Sequence, residues 1–90
     1  MKERFKAYLK KKGYAEYTPS GKPSTVYDYI KRIDRICKIE NYSWQRLTDN
    51  IDCIIDLYDS NGEKADIGNK SHRAFINALK RFQEFILDEK

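Results

Sequence analysis

The side chains in this sequence that could do chemistry are one histidine, two cysteines, seven tyrosines and a set of aspartates, and their spacing assembles no reaction centre. Asp52, Asp56 and Asp59 recur at helical spacing, which places them on an outward face. No histidine, cysteine or second carboxylate cluster stands beside them to complete an acid/base pair or a cation cage. Cys37 and Cys53 lie sixteen positions apart with a single imidazole, His72, whereas a structural zinc site takes four ligands at finger or ribbon spacing. No metal and no cofactor are expected. Both cysteines sit among isoleucines (RICKI, DCIID), the setting of small buried apolar residues in a reducing compartment. With no nucleophile, base and oxyanion set to put together, the chain is expected not to be an enzyme. What remains is cation chemistry. Lys31, Arg35 and Lys38 in one stretch, and Lys70, Arg73 and Lys80 in another, are residue types that either neutralise phosphates or keep a helix face solvated.

Charge is unevenly distributed. The net charge is +4, but residues 1–39 hold eleven lysines and arginines against four acids, residues 40–66 hold two against seven, and residues 67–90 hold five against three. Basic ends and an acidic middle suit a two-sided molecule that lays one face on a polyanion. They suit equally a helical domain with ordinary solvated charges. Ninety residues make one domain, and 40% hydrophobic with 36% charged content, two prolines and four glycines favour helices with short connections. No apolar run approaches the roughly 20 residues of a membrane span, and the first residues lack the apolar stretch of a signal peptide. No membrane partner is therefore expected, and the cytoplasm is the expected location.

The elements that would position these cations follow from periodicity. Phe5, Tyr8 and Leu9 share one side of a first short helix that ends in Lys10, Lys11, Lys12 and Gly13. That ending is foremost a helix stop, because lysines favour the macrodipole of a last turn and glycine suits the position beyond it. A loop over residues 14–23 leads to Ser24 as N-cap and a helix over residues 25–40. At ~100° per residue, Val26, Tyr29, Ile30, Ile33, Ile36 and Cys37 fall within an arc of about 120°, with Lys31, Arg35 and Lys38 opposite. Residues 41–47 read as a connection into a short helical turn capped by Ser43, with Trp44 and Leu47 inward. A third helix over residues 50–58, capped by Thr48 or Asp49, buries Ile51, Ile54, Ile55 and Tyr58. After a polar loop, a last helix over residues 70–87 buries Phe75, Ala78, Leu79, Phe82, Phe85 and Ile86. Its outer face runs from Lys70, Arg73, Asn77, Lys80 and Arg81 to Glu84, Asp88 and Glu89, against the preference of the helix dipole. The start of this helix, with Ser71 between Lys70 and Arg73, reads either as a phosphate seat or as a chance inversion that costs only ~0.3–1 kcal/mol per charge.

Two of these stretches carry a resemblance. Ser24, Thr25, Tyr29 and Ile33 (STVYDYIKRI) and residues 71–86 (SHRAFINALKRFQEFI), with Trp44, Leu47 and Ile51 between them, resemble the N-terminal core-binding domain of tyrosine recombinases of the phage integrase group. The similarity covers residues 5–86. It implies an all-α fold, a single SAM-like orthogonal bundle of four main helices plus a short helical turn, occupying residues 1–90. It also implies DNA binding, since in that family this domain is one half of a clamp around the duplex. Carried over by position, the DNA contacts are Thr25, Lys31, Arg35 and Lys38 on the second helix and Lys70, Ser71, Arg73, Asn77 and Lys80 on the last. The family's chemistry resides in a separate C-terminal domain with two arginines, a His-x-x-Arg motif and a nucleophilic tyrosine. These ninety residues do not carry that set, and His72 is followed directly by Arg73.

The expected function is therefore a non-catalytic DNA-binding module with double-stranded DNA as partner. It would be either the arm of a recombinase whose catalytic domain lies elsewhere or a stand-alone protein of that fold. The alternative is a protein-interaction module, such as a small phage or mobile-element protein that inhibits a host nuclease, docking a basic partner through the acidic third helix.

Overall fold

The computed structural model describes residues 1–22 and 24–89, with the side chains of Ser71 and His72 outside the description. Six helices lie among the described residues: α1 (Lys2–Lys11), α2 (Thr25–Glu40), α3 (Trp44–Asp49), α4 (Ile51–Tyr58), α5 (Ala65–Gly68) and α6 (Lys70–Asp88). The protein is an all-α bundle. Four main helices and the short turn α3 match the expectation, and a second short helix, α5, accompanies them. The polar stretch before the last helix folds into α5, whose close approach to α4 requires Gly68. A Cβ at that position would run into the Tyr58 carbonyl oxygen.

Helix ends follow local chemistry in some places and tertiary contacts in others. Gly13, at φ +98°, closes α1: its N–H donates to the Lys10 carbonyl (3.0 Å) and the Tyr14 N–H to the Leu9 carbonyl (3.1 Å), the paired bonds of a left-handed helix stop. Asn41, at φ 58°, closes α2 in the same way, with Tyr42 N–H donating to the Cys37 carbonyl at 2.8 Å. Ser43 caps α3 as expected, its hydroxyl accepting from the Arg46 N–H at 3.1 Å. Ser24 precedes α2 without a side-chain cap bond. The loop does part of that work instead, since the Val26 N–H donates to the Ala15 carbonyl at 3.1 Å and the Ser24 N–H to the Glu16 carbonyl at 3.0 Å. Thr48 and Asp49 are not caps. Both lie inside α3, and Asn50 joins α3 directly to α4.

The core gathers around α6, which packs against α1, α2, α4 and α5. Phe5, Ile33, Leu47, Tyr58, Leu79 and Phe82 are fully buried. Phe82 meets Phe5 edge-on at 5.1 Å and Trp44 edge-on at 5.4 Å. Contact on several sides widens the buried arc of α6 beyond a single stripe. Ile76 and Ala74 are buried, whereas Phe75 and Ile86, expected inside, are half-buried. Trp44 is also a rim residue, packed on the core with its indole N–H donating to Asp34 Oδ1 at 2.6 Å. Cys53 departs from expectation altogether and is exposed. The inward stripe of α4 is Ile51, Ile54, Ile55 and Tyr58, and residue 53 falls off it despite its apolar neighbours in sequence.

A half-buried polar tie joins the ends of three helices. Glu40, the last residue of α2, accepts from the Tyr58 hydroxyl at 2.7 Å and from the Lys64 ammonium, just before α5. Burial is the largest single influence on the Glu40 carboxyl and works to raise it, but the bonds from Lys64 and Tyr58 together hold it below the usual range. The same burial and the neighbouring carboxylate push the Tyr58 hydroxyl well above its ordinary value.

Candidate nucleic-acid interface

The two expected cation sets fare differently. On α2, Lys31, Arg35 and Lys38 are exposed, and at ~100° per residue they form one ridge about 60° wide, opposite the buried Ile33. Among the described residues none of the three has a carboxylate within the 4.0 Å of an ion pair. Thr25 is half-buried at the start of the same helix.

On α6, Arg73 and Lys80 are already engaged, whereas Lys70 has no carboxylate within ion-pair distance among the described residues. Asp59 Oδ1 receives Arg73 at 3.0 Å, and Asp59 Oδ2 pairs with Lys80 at 3.3 Å. The Ser60 backbone N–H, followed by Lys80 and Arg73, holds the Asp59 carboxyl below its ordinary range. This carboxylate gives two of the cations that run against the helix dipole, Arg73 and Lys80, an internal partner. Arg73 itself has φ +66° in the first turn of the helix, a left-handed conformation that costs a non-glycine residue roughly 1–2 kcal/mol. Its guanidinium bonds to Asn69 (3.1 Å) and Asp59 (3.0 Å) help to hold it there. Lys70 and Asn77 are exposed. The Ser71 side chain lies outside the described residues. Arg81, expected on the outer face, is tucked in: it sits over the Tyr14 ring at 5.2 Å and pairs with Glu84.

The α2 ridge opens onto a groove of about 790 Å³, bounded by α1, the loop before α2 and α2 itself, with Ala74 and Phe75 of α6 also in its lining. Six cations and four acids line it. Two of the acids are spoken for, Asp34 by Lys2 at 3.0 Å and Glu16 by Lys6 at 2.6 Å. The groove keeps an excess of two positive charges, concentrated on α2. Sequence reasoning found the ridge but missed the groove, because the ion pairs and the loop that shape it join residues distant in the chain. Among the described residues no cluster of histidine, cysteine and carboxylate groups could hold a metal ion, and no helix is long and apolar enough to cross a membrane. In comparisons with known proteins, no family model, curated protein or solved structure matches the chain.

Proposed function

We propose that this chain is a DNA-binding module without chemistry of its own, related in fold to the SAM-like core-binding arm of phage-integrase-type tyrosine recombinases and acting in the cytoplasm. The observation that carries the reading is the contrast between the two cation sets. Arg73 and Lys80 share the single Asp59 carboxylate, while Lys31, Arg35 and Lys38 project together from α2 with no acid within ion-pair distance among the described residues. A ridge of like charge on one helix face repels itself by a few tenths of a kcal/mol per neighbouring pair, and the buried face opposite does not require it. Phosphates spaced along a duplex are the ligand that would offset it. Lys31, Arg35 and Lys38 are accordingly the principal phosphate contacts, with Thr25 at the same helix start. Lys70, Ser71, Arg73, Asn77 and Lys80 form a second set, of which Arg73 and Lys80 must exchange Asp59 for phosphate.

The test is a titration of duplex DNA at about 50 and 200 mM salt, over which three phosphate contacts weaken affinity by roughly 40-fold. Binding that ignores salt, or no binding at low salt, sinks the proposal and favours a protein partner docked on the acidic face of α4.

A further inference from the structure

Tyr17 and Tyr27 are left 56% and 47% exposed, and both line the groove beside the α2 ridge. The other tyrosines are occupied. Tyr8 and Tyr58 are buried, Tyr14 and Tyr29 meet edge-on at 5.7 Å, and Tyr42 lies under Arg46 at 4.9 Å. Among the described residues, Tyr17 and Tyr27 have neither an aromatic neighbour nor a cation over the ring.

Their placement is fixed by backbone. The bonds from Ser24 N–H to the Glu16 carbonyl and from Val26 N–H to the Ala15 carbonyl hold the segment before Tyr17 against the start of α2. Tyr27 stands one turn ahead of Lys31, and at ~100° per residue it falls about 20° from Lys38 around the helix. Two rings and three cations thus line the same groove.

A duplex shows its phosphates to such a surface but keeps its base faces stacked inside, so an exposed ring adds little to duplex binding. An unpaired nucleotide presents both a phosphate and a base face, and alternating cations and aromatic rings are how proteins hold single strands. We infer that the groove binds single-stranded DNA, with bases stacked on Tyr17 and Tyr27 and phosphates on Lys31, Arg35 and Lys38. The inference rests on the nucleic-acid reading above and names the form of DNA that fills the groove. Glu3 and Asp28 also border the groove and keep its charge moderate, which makes stacking a necessary part of the affinity.

The experiment is fluorescence anisotropy with a labelled oligothymidine of about 12 nucleotides, within the span of known single-strand sites, an abasic oligomer of equal length, and a duplex. Oligothymidine should bind at least about 30-fold more tightly than the abasic strand, the minimum for two stacked bases, and Tyr17→Ala and Tyr27→Ala should each weaken it by roughly 5- to 150-fold, the range of one stacked base. Tyr17→Phe and Tyr27→Phe should retain binding, and all four variants should bind duplex as the parent does. Circular dichroism confirms that each is folded. Equal binding of the oligothymidine and abasic strands, or alanine variants that bind oligothymidine like the parent, overturns the inference while leaving duplex binding intact. Loss of all nucleic-acid binding by the parent protein overturns both readings.

Discussion

Replacing Glu40 by alanine removes one carboxylate and leaves two donors without their acceptor. The Tyr58 side chain is fully buried, so its hydroxyl cannot turn to bulk water, and stranding such a group costs about 1–3 kcal/mol. The Lys64 side chain is 34% exposed and re-solvates, so its share is that of a screened surface pair, about 0.2–1 kcal/mol. The sum is roughly 1–4 kcal/mol, which in a domain of this size lowers Tm by about 4–8 °C per kcal/mol. Urea denaturation followed at 222 nm measures it. Tyr58→Phe removes the hydroxyl and leaves the Lys64 pair in place, so it should cost about 1 kcal/mol. Combined with Glu40→Ala it should add little further loss. The pH dependence has a definite sign. The folded Glu40 carboxyl is held low, so the advantage of the parent over Glu40→Gln is complete above the ordinary glutamate value of about 4.3. It is lost as pH falls through the lower, folded value. A Glu40→Ala loss below about 0.5 kcal/mol, the range of ordinary surface sites, or full additivity with Tyr58→Phe, would refute the tie as a support of the fold.

Leu79 is fully buried, and Leu79→Ala should cost about 2–5 kcal/mol by chemical denaturation. Under native conditions near pH 8 a thiol reagent should modify Cys53 alone, because Cys37 is buried and burial, aided by Asp34, pushes its thiol up to about 11; two equally fast thiols would contradict that placement. A clean preparation should leave supercoiled plasmid intact with or without magnesium, and nicking abolished by a point change in this chain would overturn the non-catalytic reading.

The parts of this fold legible in the sequence are those where one helix face meets one neighbour. The apolar period of α2 gave both its buried side, Val26, Ile33, Ile36 and Cys37, and the ridge opposite. Gly13 and Ser43 marked helix ends because their local conformations do so without outside help. Features set by several neighbours at once were not legible. Ile76 lies off the expected stripe and is buried because α6 is packed on several sides, while Cys53 sits among isoleucines yet faces outward. Ser24 leaves its side-chain cap bond unmade because a loop carbonyl takes the first-turn Val26 N–H. The candidate site divides along the same line. Lys31, Arg35 and Lys38 followed from spacing within one helix. The pairing of Arg73 and Lys80 depends on Asp59, fourteen residues before Arg73, and the exposure of Tyr17 and Tyr27 depends on where the loop folds back.

The most direct test of the central claim compares the salt slope of duplex binding across Lys31→Ala, Arg35→Ala, Lys38→Ala and the triple variant. Each single change should weaken binding to every sequence and lower the slope by about one unit, with the triple variant losing about three times that and unfolding within about 0.5 kcal/mol of the parent, as surface substitutions do. Arg73→Ala and Lys80→Ala should each change the slope less, because Asp59 already holds those cations. A triple variant that binds duplex DNA with the parent's affinity and the parent's slope would contradict the account.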